Sequence, residues 1–95
     1  MAAIGVLTLE LEFQESHSLK DKRHWVRGLK DRLRAGFNVA VAEVDDQNLL
    51  NRSVVTAVTV SGSRENAVRV LEAAERAAAG FLGPALISAA IDFLE

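Results

Sequence analysis

Seven of the chain's eleven Lys and Arg residues fall between positions 20 and 34: Lys20, Lys22, Arg23, Arg27, Lys30, Arg32 and Arg34, with only Asp21 and Asp31 among them. Cations at this density suit phosphate binding, because each phosphate they neutralise releases condensed counterions. On a helix at 100° per residue, Lys20, Arg23, Arg27, Lys30 and Arg34 fall within an arc of about 80°. Leu19, Val26, Leu29 and Leu33 point into an adjoining sector that must be buried. The basic residues then form a stripe roughly 21 Å long. Ser16, His17 and Ser18 stand just before it, where a helix N-terminus offers backbone donors, a favourable dipole and two hydroxyls to an anion. The candidate anion-binding set is therefore Ser16, His17, Ser18, Lys20, Lys22, Arg23, Arg27, Lys30 and Arg34, and the ligand class it suits is structured RNA. No feature signals readout of a DNA sequence. The competing reading is a solvated helix face, partly neutralised by Asp31 against Arg27 and Arg34.

Other chemistry finds less support. Trp25 sits at the edge of the apolar sector, placed either to stack on a base or to fill a seam between helices. The strands lack the interleaved aromatics with which an RNA-recognition motif stacks bases, since only Phe13 and Phe93 lie on them and both belong to apolar faces. His17 and His24 have no carboxylate pair spaced to complete a metal site, so no metal or cofactor is expected. Glu43, Asp45 and Asp46 could hold a cation or act as a base, but no nucleophile, second acid or glycine-rich cradle accompanies them, and a solvated loop accounts for them. An acylphosphatase would need an Arg in a glycine-bearing loop after the first strand. Here that connection reads Gln14-Glu15-Ser16-His17-Ser18, so no catalytic constellation is present.

The elements that must hold these residues follow from periodicity. Ile4 to Phe13 alternates, with Leu7, Leu9, Leu11 and Phe13 on one face, which is the pattern of a half-buried strand. Ser18 as N-cap with Asp21 three residues on, and Gly36 as a stop, bound the basic helix. Asn38 to Val44 and Ser53 to Ser61 read as strands joined by a wide polar loop. Ser63 caps a second helix whose Ala67, Val68, Leu71, Ala74, Ala78 and Leu82 recur at helical spacing. Glu65 with Arg69 and Glu72 with Arg76 should pair along it, and Gly80, Gly83 and Pro84 should end it. Ala85 to Leu94 returns to strand, with Ile87, Ile91 and Phe93 on one face.

That order is the βαββαβ pattern of a ferredoxin-like α+β fold, a four-stranded antiparallel sheet with two helices on one face, spanning residues 1–95 as a single domain. Another α+β arrangement is the alternative. With 95 residues, 49% of them hydrophobic and 25% charged, the composition is that of an ordinary globular domain. The lack of cysteine excludes a disulfide scaffold, a thiol nucleophile and a thiolate zinc site, and fits a reducing compartment. The N-terminal run has no basic start and breaks at Thr8 and Glu10, so no signal peptide is expected, nor a membrane partner. A cytoplasmic protein is the expectation.

A single sheet covered on one side leaves its other side to solvent or to a partner. Ile4 and Val6 lie on the far face of the first strand, and the third strand carries Val54, Val58 and Val60 on one side and Val55 and Ala57 on the other. Apolar groups on both faces point to a homodimer through the open face or an edge strand, with a scatter of exposed valines as the plain alternative.

The segments Ser16-His17-Ser18-Leu19-Lys20-Asp21-Lys22-Arg23 and Phe37-Asn38-Val39-Ala40-Val41-Ala42-Glu43-Val44-Asp45 resemble the YlxP-like family of small bacterial proteins, domain of unknown function 503. Asp46 to Arg52 resembles a looser version of the family's loop, in which an aromatic commonly sits where Leu50 is. The resemblance implies a ferredoxin-like fold and a bacterial cytoplasmic protein whose genes often neighbour translation and ribosome-maturation factors. It supplies no catalytic residues. An RNA-binding or ribosome-associated accessory protein, with RNA or a ribosomal subunit as partner, is the leading expectation. A protein–protein or small-ligand regulatory homodimer and an acylphosphatase-like hydrolase follow it.

Overall fold

The structure, a computed structural model, describes residues 1–14 and 18–94. Its elements run β1 (Ala3–Glu12), α1 (Leu19–Gly36), β2 (Ala40–Asp45), β3 (Arg52–Ser61), α2 (Arg64–Leu82), a 3-10 turn (Gly83–Ala85) and β4 (Leu86–Leu94). The strands form one sheet in the order β2-β3-β1-β4, every pair antiparallel. Both helices cover one side of it, and this is the ferredoxin-like α+β fold.

The core is the meeting of two periodicities. Leu7, Leu9 and Leu11 of β1, Val55 and Ala57 of β3 and Val41 of β2 point toward the helices at every second position. Val26, Leu29 and Leu33 of α1 and Leu71, Ala74, Ala78 and Leu82 of α2 face them at helical spacing. The small residues of α2 let that helix lie close over β1. Gly5, buried beneath it, has Leu71 Cδ1 only 2.7 Å from where a Cβ would stand. Both N-caps are as the sequence implies, with Ser18 Oγ accepting from the Asp21 N–H and Ser63 Oγ from the Asn66 N–H.

Four local expectations change. Gly80 lies inside α2, which ends instead at Gly83 in the left-handed region (φ 57°), where an L side chain would be strained. Glu65 and Arg69 pair at 3.1 Å, whereas Glu72 and Arg76 form no ion pair. β2 starts at Ala40, two residues later than alternation suggests, because Asn38 instead uses its carbonyl to accept from the buried Thr59 hydroxyl. Ile87 leaves the inward face, since the register of β1 on β4 shifts between Glu10 and Leu11 and Leu86 takes the core position with Ala89 and Ile91.

Candidate nucleic-acid interface

The first helix sorts its cations by angle. Val26, Leu29 and Leu33 fix the buried sector, and Trp25 and Arg32 on one flank turn toward α2. There Trp25 meets Phe81 with ring centroids 5.2 Å apart, and the Arg32 guanidinium carbon lies 3.8 Å from the centre of the same ring. The opposite flank, beside edge strand β2, carries Lys20, Arg23, Arg27 and Lys30. All four reach solvent, and among the described residues none of them makes an ion pair. Asp31 projects from the same side and forms no ion pair with Arg27 or Arg34, so the direct pairing expected of it does not occur. Arg34 closes the stripe and donates to the Val41 carbonyl at 2.9 Å, tying the end of α1 to β2.

Lys22 does not belong to this set. Its side chain is 1% exposed and its ammonium donates to the carbonyls of Asp46 (2.6 Å), Arg52 (2.8 Å) and Gln47 (3.3 Å), with Glu43 Oε2 at 3.2 Å. The same Glu43 oxygen accepts from the buried Ser53 hydroxyl at 2.6 Å. A buried ammonium is tolerated only when its charge is paired and its protons are placed, and here both conditions are met. Lys22 therefore acts as a tethered cation that gathers the β2–β3 loop around itself and cannot meet a phosphate. Its place was readable from spacing: it precedes Val26, Leu29 and Leu33 by four, seven and eleven residues, the positions of the apolar sector itself.

The acidic loop is accounted for by the same network. Glu43 serves Lys22, Asp45 Oδ1 accepts from the Asp46 N–H at 2.8 Å, and Asp46 takes a left-handed backbone (φ 59°) that turns its carbonyl onto Lys22. Among the described residues, no group of three His, Cys, Asp or Glu is placed to hold a metal. Ser18 spends its hydroxyl on the helix cap, and His24 is exposed with its ring edge-on to Trp25, centroids 6.0 Å apart. Ser16 and His17 lie outside the described residues, so the helix-terminal part of the anion site has no structural placement beyond Ser18 and Lys20.

A groove of about 790 Å³ runs on the Trp25 side of α1, floored by Phe13 and Leu82 and walled by Trp25 and Ile87, with Lys20 and His24 at its edge. The displacement of Ile87 by the β-bulge helps to make this wall, a feature that simple alternation could not disclose. No helix among the described residues is long and apolar enough to cross a membrane.

Comparison with known proteins agrees with the topology. A de novo designed protein, Foldit4, superposes with a TM-score of 0.60 at 9% identity over 100% of this chain and 98% of that one. The Bacillus subtilis YxeP protein, a dinuclear metal-binding peptidase of the M20 family, gives 0.51 at 14% identity over 99% of this chain, which spans only 26% of the peptidase. A dimeric ferredoxin-like protein of unknown function from Thermobifida fusca gives 0.47 at 17% identity, over 96% of this chain and 90% of that one. At such identities the first two speak to fold alone. No curated protein matches the sequence significantly. One family does, described as protein of unknown function (DUF503): its sequence pattern covers residues 4–91, nearly the whole chain, and the protein belongs to it.

Proposed function

We propose that the protein binds the phosphate backbone of RNA along the outer flank of α1, as an RNA-binding or ribosome-associated accessory factor. The observation that supports this reading is the row of exposed Lys20, Arg23 and Arg27 and half-buried Lys30, free of ion pairs among the described residues. A helix face kept merely soluble gains from mixed signs and i,i+4 pairs, as α2 shows with Glu65 and Arg69. This flank of α1 instead sets four cations against one carboxylate, Asp31, on a protein whose net charge is −2, a distribution that concentrates polyanions locally.

The test is binding to ribosomal RNA and to separated ribosomal subunits across a salt series. Four phosphate contacts on single-stranded segments give a slope of about −3 in log K against log salt, so affinity should fall roughly 50-fold between about 50 and 200 mM. The combined variant Arg23→Glu, Arg27→Glu, Lys30→Glu should lose binding while keeping its circular dichroism. Trp25, the only tryptophan, packs on Phe81 on the side of α1 away from Arg23, Arg27 and Lys30, so its emission should change little as RNA binds along those three. Undiminished binding by the variant would end this reading, and quenching of Trp25 would move the contact to the groove.

A further inference from the structure

The face of the sheet turned away from the helices carries a second message. Its register rows are set by the strand pairing. Val60, Ile4 and Leu94 form one row across β3, β1 and β4. Ala40, Val58, Val6 and Asp92 form the next across all four strands, followed by Ala42, Thr56, Thr8 and Ala90. The next row is Val54, Glu10 and Ser88 across β3, β1 and β4, with Val44 beside it on β2. Arg52 and Glu12 close the far end, 3.6 Å apart. Across the three apolar rows Asp92, at the outer edge, is the one charged residue. Val60, Leu94 and Val44 are 57%, 64% and 53% exposed.

We infer that this face is the contact between two copies of the chain, packed sheet against sheet. The charge layout argues against a charged occupant. The chain's cations are concentrated on α1, on the other side of the sheet, so nucleic acid finds no counter-charge among these rows; Asp92 lies on the edge strand β4, and Glu10 and Glu12 follow the three rows toward the far end of β1. The rows are built of short side chains, six β-branched and three alanine among eleven residues, so a second copy related by a two-fold axis can approach closely, as the self-matching contact of a dimer requires. Its extent fits as well. Strands of 10, 6, 10 and 9 residues spaced about 4.8 Å apart cover roughly 550 Å² on each copy. With the whole face covered, two copies bury about 1,100 Å², just above the roughly 1,000 Å² that a specific protein–protein contact needs. Ninety-five residues closing one layer of helices on one sheet leave its outer apolar side chains half-buried or exposed, and pairing completes the second layer.

The experiment is sedimentation equilibrium of the full chain from low micromolar to submillimolar concentration. The wild type should weigh twice its 10.3 kDa. Val60→Lys, at an exposed strand end where folding is not at stake, and Val58→Lys, in the middle of the face, should halve the mass without changing circular dichroism. Arg27→Glu should leave the dimer intact. A monomeric wild type at every concentration would overturn the inference, and so would a dimer that survives both valine substitutions, since its contact would then lie elsewhere. Neither result decides whether the α1 stripe binds RNA, since the stripe lies on the opposite side of the molecule.

Discussion

Lys22 shows how one residue can belong to a charge pattern in the sequence and to the core in the fold. It holds three carbonyls and one carboxylate at distances from 2.6 to 3.3 Å, so its removal strands the Glu43 charge and releases the loop from Asp46 to Arg52. Lys22→Met should cost about 3 kcal/mol in urea unfolding, the scale of breaking a buried pair by removing one partner. Adding Glu43→Gln should restore part of that loss, because the two residues share one network. A Lys22→Met protein as stable as wild type would show the ammonium to be dispensable. Most of the remaining stripe was legible from charge and helical angle alone: Lys20, Arg23, Arg27 and Lys30 stand where the 100° spacing puts them. The network around Lys22 was not, because its acceptors are backbone carbonyls some 24 to 30 residues away, which no side-chain pattern advertises.

At the scale of elements, glycine separates two kinds of helix position. Gly28 of α1 lies where α2 approaches, and a Cβ there would meet Phe81 Cζ at 2.9 Å, on a ring already held between Trp25 and Arg32. Gly80 of α2 has nothing within 4 Å. Replacing either by alanine gains about 1 kcal/mol of helix propensity, but at Gly28 the overpacking of a rigid ring outweighs it, at about 1–3 kcal/mol. Gly80→Ala should therefore raise the melting temperature and Gly28→Ala lower it; a rise in both would mean that the helices part without cost. The sequence conveyed the order of elements, both caps and nearly every inward residue, because alternation in β1 and β3 and the 3.6 period in α1 and α2 are uninterrupted. It misplaced Ile87 and the end of α2 because a bulge and a left-handed cap are decided by pairing partners and backbone geometry, not by hydrophobic pattern.

Across the whole molecule, the two proposed surfaces lie on opposite sides of the sheet. A sheet-to-sheet dimer would place its two α1 stripes on the outer layers, facing away from each other. One RNA segment could then engage both only by passing around the dimer, so linkage of the two sites depends on RNA length. The Val60→Lys monomer should bind a short RNA as well as wild type does and a long structured RNA several-fold more weakly. Equal affinity for both lengths would show that the two stripes act independently.

The lysines of this chain are three in number, Lys20, Lys22 and Lys30, and all lie on α1. Two of these amines are open to reagents, and the third is enclosed by the carbonyls it holds together. Among the side chains of the folded protein, acylating chemistry therefore falls on the stripe alone, removing charge where polyanions would dock. Lys22 becomes reactive only when the loop lets go, so the pace at which it is modified is a clock for the opening of the fold.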